Sequence, residues 1–182
     1  GRTWLLPQAI LHATAAHPHV VVSTVEANFE HLATMLRAAE IDFVVGGLRP
    51  PSQMVGLVTR PVMRAGISLV ARRGHPLREQ LPRQGWPALA GARWVLPPHG
   101  TWTRTALEAA LAEHGLDGPQ VVVETADVTL TRALVLVLGS ELITAVSPHL
   151  YREEITAGEL VVLPVTPGSA PRDIGIVTRA NA

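Results

Sequence analysis

Residues 97–102, Pro-Pro-His-Gly-Thr-Trp, bring an imidazole, a hydroxyl and an indole into six positions. They lie between a short apolar run, Trp94–Leu96, and a pattern with helical periodicity. Such a junction can bind a small molecule, because the first N–H groups of a helix lack partners and its N-terminus carries partial positive charge. It can equally be a plain helix start, with Thr101 or Thr103 as N-cap, the prolines as breakers and Trp102 packed on the core. The two readings are compatible. Other candidates are weaker. His17-Pro18-His19 resembles a metal pair, but no third ligand accompanies it and a surface turn accounts for it. Glu30 and His31 are adjacent, so on a helix they do not share a face. Glu40 and Asp42 flank a strand start, where charged side chains are usually solvated. Arg49 can pair with an anion or sit solvated on the surface.

Catalytic signatures are absent. Gly139-Ser140-Glu141-Leu142 does not match the nucleophile elbow, and no phosphate-binding glycine loop follows a strand. No metal site or cofactor is expected, and the chain does not read as an enzyme. It contains no cysteine, which excludes disulfides, thiolate metal sites and thiol redox sensing. With 47% hydrophobic and 16% charged residues it reads as a folded globular chain. Its 15 basic and 15 acidic residues cancel. Nucleic-acid-binding domains usually carry a basic excess, so this chain is not expected to touch DNA itself. No apolar run reaches membrane-spanning length, and GRTWLLPQAI lacks a signal-peptide core. A cytoplasmic location is expected.

The elements that must position these residues follow from periodicity. Helices are predicted over 3–16, around 32–39 after Asn28 as cap, 103–114, 128–138 (apolar nearly all round, hence buried) and 149–157. Strands are predicted over 20–25, 41–45, 94–96, 120–124, 142–146, 160–165 and 174–178, with extended segments at 57–61 and 66–71. The order helix-strand-helix-strand occurs twice, at 3–45 and 103–146. Alternation of this kind predicts parallel sheets covered by helices, in two lobes with a cleft between them. Residues 72–86, with Pro76 and Pro82, read as the connection between lobes, and Ser147-Pro148 as the return. Ligands of open α/β sheets bind beyond the carboxyl ends of strands, which directs attention to the loops after 26, 45, 96, 124 and 146.

Several stretches resemble one family. LLPQAI, HPHVVV and LATMLRAAEIDFVVGG are similar to the first half of the effector-binding domain of LysR-type transcriptional regulators. GLVTRPVMRAGISLVARRGHPL resembles the segment that leaves its first subdomain. WVLPPHGTWTR, LEAALAEHG, ETADVTLTRALVLVLG and LITAVSPHL resemble the second subdomain, and GELVVLPV with RDIGIVTR the return. The resemblance covers nearly the whole chain. It implies an α/β fold of two Rossmann-like subdomains with a ligand cleft and two crossover strands, of the type 2 periplasmic-binding-protein kind. Residues 1–72 with 151–182 would form subdomain I and 73–150 subdomain II, with the N-terminal winged helix-turn-helix outside this chain. It implies a ligand-sensing domain whose effector, an organic acid or a sugar-like molecule, controls DNA binding and transcription by the full-length regulator. The architecturally related alternative is a solute receptor for a transporter. The ligand positions that the resemblance assigns are Arg2, Thr3, Asn28, Phe29, Gly47, Leu48, His99, Thr101, Trp102, Thr103, Asp127 and Ser147. It also implies homodimers or homotetramers in which helix 3–16 and strand 20–25 of one copy face helix 103–114 and strand 120–124 of another, contact with DNA only through the other domain, and no membrane.

Overall fold

The computed structural model describes residues 5–168 and 171–180. Two compact units divide the chain. One takes residues up to Ala65 and from Pro171 onward, and the other runs from Gly66 to Ala170.

In the first unit, helix α1 (Leu5–Ala16) and helix α2 (Phe29–Arg37) accompany a three-stranded sheet of β1 (Val44–Gly47), β2 (Leu57–Ala65) and β8 (Arg172–Arg179), in the order β1-β8-β2. Every pairing in it is antiparallel. The expectation of a parallel sheet therefore fails in this unit, because the last strand runs back between β1 and β2. The register slips between Pro61 and Met63, where proline has no N–H for the ladder. Helix α2 starts where predicted: the Asn28 side chain accepts a hydrogen bond from the His31 N–H at 2.9 Å. It ends with Ala39 at φ 60°, and the Ala39 and Glu40 N–H groups donate back to Leu36 and Met35 carbonyls. Arg179 Nη1 holds this end by donating to the Leu36 and Ile41 carbonyls at 2.9 and 2.8 Å. Ala33, Leu36, Val44, Met54, Leu57 and Val177 form the core, with Phe29, Leu32, Ile41 and Leu48 at its edge. The strand predicted over 20–25 does not form. Its β-branched residues have no neighbouring strand to pair with among the described residues, and Val20, Val21 and Val25 lie exposed. Helix α1 buries no residue.

The second unit holds a five-stranded sheet of β3 (Ser68–Arg72), β4 (Arg93–Leu96), β5 (Gln120–Glu124), β6 (Leu142–Val146) and β7 (Leu160–Val162), in the order β5-β4-β6-β3-β7. β4 pairs in parallel with β5 and β6, whereas β3 runs antiparallel to β6 and β7. Strands 68–72 and 160–162 thus pair within this sheet. The observed units divide at 65/66 and 170/171, where the sequence pattern suggested 72/73 and 150/151.

Side chains of a strand alternate between faces, and each strand here serves two cores. Leu69 and Ala71, Trp94 and Leu96, and Ile143 and Ala145 point to one core, with Leu107 and Leu111 of helix α4 (Trp102–Glu113). Val70, Val95 and Val123 point to the other, with Val135 of helix α5 (Val128–Leu136), and with Tyr151 and Leu160. The stretch 72–86, read as a plain connection, contains helix α3 (Leu77–Gln84), whose Leu77 and Leu81 join the first of these cores. Pro82 lies in its second turn and masked the pattern. The predicted helix 149–157 is a 3-10 turn, Pro148–Tyr151, followed by helix α6 (Arg152–Thr156). Helix α5 is less buried than its apolarity suggested: only Thr131 and Val135 are fully covered, while Leu138 just beyond it is 96% exposed.

Candidate functional site

The first unit contains a pocket of about 210 Å³. Its walls come from the residue before the α2 cap and the start of α2 (Ala27, Phe29, Leu32), from β1 (Val44, Val45) and from Val177 of β8. Gly46 and Gly47 line it with backbone, and Arg49 and Arg172 bring two guanidinium groups to it. These meet because Gly47 pairs with Ile174, which sets the first residue of β8 beside the last of β1. Arg172 Nη2 donates to the Gly47 carbonyl at 2.8 Å. A side-chain carbon on Gly47 would overlap that guanidinium, so the close approach requires glycine.

Arg49 lies over the Phe29 ring, 5.3 Å from its centroid. Its Nε is buried without a hydrogen-bond partner, and no carboxylate pairs with Arg49 among the described residues. Burial, and then the charge of Arg49, hold Arg172 below the usual arginine range. The site is thus a mostly apolar pocket with two arginines in its lining.

Of the positions the resemblance assigns to this unit, Phe29 and Gly47 line the pocket. Asn28 caps α2. Leu48 packs at the core edge, and its N–H donates to the Asp173 carbonyl. Arg2 and Thr3 lie outside the described residues. Arg49 was weighed as an anion partner on sequence, and it is half-buried rather than solvated. Arg172 was missed. Only the β1–β8 register brings it to Gly47, and no local pattern announces that.

In the second unit the stretch 97–102 folds as a loop and helix start. Thr101 occupies the N-cap position of α4, but its hydroxyl donates to the Pro98 carbonyl at 2.8 Å instead of capping the helix. Trp102 packs against the core. His99 is brought to Arg104 and Glu108: Arg104 Nη2 lies 3.2 Å from His99 Nε2, and Arg104 Nε donates to Glu108 Oε1 at 2.5 Å. Arg104, which sequence did not single out, is buried, and its Nη1 has no partner. Thr103 is half-buried beside them. Asp127 caps α5, its Oδ1 accepting from the Thr129 and Leu130 N–H groups at 2.8 and 3.1 Å. Ser147 precedes the 3-10 turn, and its carbonyl accepts from the Leu150 N–H. Among the described residues no group of three His, Asp or Glu side chains could hold a metal ion, and no helix is long and apolar enough to cross a membrane.

A family model described as the LysR substrate binding domain matches residues 2–182. The chain belongs to that family. The HTH-type transcriptional regulator GalR of Pseudomonas putida is 43% identical over 183 aligned positions, covering 100% of this chain and 45% of that protein. The chain spans about half the length of the curated relatives it matches. Among solved structures it resembles the regulatory domain of Synechocystis PCC6803 CcmR in complex with 2-PG (TM-score 0.74, 21% identity, 98% of this chain and 83% of that one). It also resembles the cofactor-binding domain of the Cbl transcriptional regulator (TM-score 0.77, 22% identity, 97% and 75%). The two-subdomain, type 2 periplasmic-binding-protein-like fold read from the sequence is the fold of these domains. The alternative of a solute receptor for a transporter gains no support from these matches.

Proposed function

We propose that this LysR substrate-binding domain senses a small organic effector for a cytoplasmic transcriptional regulator, and that it binds without catalysing a reaction. The rest of the regulator would contact DNA, in keeping with the zero formal charge of this chain. The observation that carries the reading is the pocket of the first unit, formed in part by two positions, Phe29 and Gly47, that the resemblance assigns to effector binding. Binding of 2-PG by the CcmR regulatory domain supports a small-molecule ligand. In the second unit His99, Thr101, Trp102, Thr103, Asp127 and Ser147 stay in the proposal as ligand positions, with Arg2, Thr3, Asn28 and Leu48 in the first. A ligand acts as an effector only if it favours one arrangement of the protein over another.

Assembly as homodimers or homotetramers is part of the same proposal. Leu11 of α1 and Val20, Val21 and Val25 are exposed apolar side chains that a second copy could cover. Sedimentation at rising concentration is expected to show self-association, which Leu11→Glu weakens; a strict monomer contradicts it.

The test of the sensor reading is a thermal-shift screen of carboxylates, sugar acids and neutral sugars, followed by DNA binding of the full-length regulator with each compound that stabilises the domain. At least one stabilising compound is expected to change DNA affinity or footprint. Compounds that occupy the domain and leave DNA binding untouched would contradict it.

A further inference from the structure

We propose that Arg104 is a positioning residue for His99: it holds the ring as the neutral Nδ1–H tautomer, and a proton on His99 detaches the ring from helix α4. The inference goes beyond the sensor reading and concerns the chain without any ligand.

His99 lies in the loop before α4, and Arg104 and Glu108 stand one turn apart on that helix. Arg104 Nη2 is 3.2 Å from His99 Nε2. A guanidinium has only donors, so Nε2 must accept, and the neutral ring then keeps its hydrogen on Nδ1. Nδ1 faces Glu108 Oε1 at 3.4 Å, and an ionised carboxylate only accepts. The two neighbours therefore select the same tautomer. Among the described residues, Arg104 and Glu108 are the charged or titratable groups in contact with His99. They are also joined to each other, since Arg104 Nε donates to the same Oε1 at 2.5 Å.

A proton on the ring changes one of these contacts in kind. Both nitrogens of imidazolium donate, so an N–H on Nε2 would point at an N–H of Arg104, cation against cation. The carboxylate of Glu108 attracts the charged ring at nearly the distance at which Arg104 repels it, and the two charges largely offset. What decides is the hydrogen bond that only the neutral ring can accept. Burial decides which partner yields. Arg104 is 4% exposed, cannot lose its charge and stays on Glu108, whereas the His99 side chain is 71% exposed and can turn into water. The turn beneath it does not depend on the ring, because the Thr101 hydroxyl and N–H both donate to the Pro98 carbonyl. The proton thus exchanges a neutral ring with both nitrogens engaged for a free cation, next to the ligand positions Thr101, Trp102 and Thr103.

The experiment is NMR of the histidine rings of the ¹⁵N-labelled chain, in which two-bond ¹H–¹⁵N couplings separate the two neutral tautomers from imidazolium. It is run over about pH 5–8, the range in which imidazoles titrate, and the His99 ring is identified by its loss in His99→Asn. At the alkaline end His99 is expected as the Nδ1–H tautomer. On acidification the Arg104 Nε–H signal is expected to shift with the same midpoint as the His99 ring. Arg104→Met is expected to turn His99 to the Nε2–H tautomer that free histidine prefers in water, and Arg104→Lys, which keeps a donor, to restore Nδ1–H; a merely structural role would not move the tautomer. The measurements on the unsubstituted chain stand even where a variant fails to fold. An Nε2–H ring at alkaline pH, a tautomer unchanged in folded Arg104→Met, or an Arg104 signal indifferent to the His99 titration would overturn the proposal. None of these readouts uses an effector or DNA, so their failure leaves the sensor reading standing, and failure of the sensor reading leaves them untouched.

Discussion

The two units treat buried arginine and buried apolar surface differently. The unit from Gly66 to Ala170 places a core on each face of its sheet and balances Arg104 with Glu108. The unit that includes β1, β2 and β8 has one smaller core, an α1 with no buried residue, and an Arg49 that no carboxylate pairs with among the described residues. The contrast teaches where stability and binding are placed. Saturated packing and paired charge resist change, whereas elements with few buried contacts open at lower cost and are the ones that ligands remodel.

The sharpest way to break this comparison is to damage the second unit's core. Trp94 is 1% exposed, and Trp94→Ala is expected to cost about 3–5 kcal/mol, read from urea unfolding. A cost no larger than that of Val58→Ala, on exposed β2, would contradict the assigned core. Next is the paired charge. Glu108→Gln leaves Arg104 buried beside a neutral amide and is expected to cost about 1–3 kcal/mol, less than for a fully buried pair because the carboxylate is partly exposed. No loss in chemical denaturation would mean that the pair is not balancing anything.

These two residues also show what the sequence could reveal. Trp94–Leu96 reads as a strand because its apolar run is local, and the ends of β5 and β6 follow from equally local patterns. The caps Asn28 and Asp127 lie within a helix start, and local chemistry announces a cap. The partners of strands do not follow this way. β3 and β7 were legible as extended segments, but their pairing in the second unit's sheet is set by contacts between distant residues. The same holds for the candidate site. Phe29 and Gly47 were found through loops and resemblance, whereas Arg172 reaches them only through the β1–β8 register. The strand expected over 20–25 marks the opposite failure: β propensity makes no strand without a neighbour to pair with.

A gentler probe of the second unit is pH. Burial holds His75 below its ordinary value, with Nδ1 accepting from the Leu77 N–H and Nε2 donating to the Glu141 carbonyl. The unfolded chain therefore binds the proton first. Stability from this group is complete above about pH 6.5 and is lost as pH falls from there through the lowered folded value. The drop in unfolding free energy on acidification is expected to shrink in His75→Gln; an unchanged pH slope would assign the loss to other groups.

The smallest effect sharpens the comparison from the first unit. Helix α4 is followed by Gly115 at φ 71° and α6 by Gly158 at φ 73°, whereas α2 is followed by Ala39 at φ 60°. Ala39→Gly removes a side chain from a left-handed position, and is expected to gain up to about 1 kcal/mol after the entropy of the unfolded chain is counted. Destabilisation would show that Ala39 does not hold that conformation.

The most direct test is hydrogen exchange of the chain with and without a saturating compound chosen by thermal shift. A ligand at about a hundred times its dissociation constant stabilises the fold by about 2.7 kcal/mol, so protection is readily measured. Slowed exchange is predicted in segments 27–32, 44–49 and 172–177, the lining of the pocket of the first unit. Stabilisation by the compound with exchange in those three segments unchanged would contradict the account.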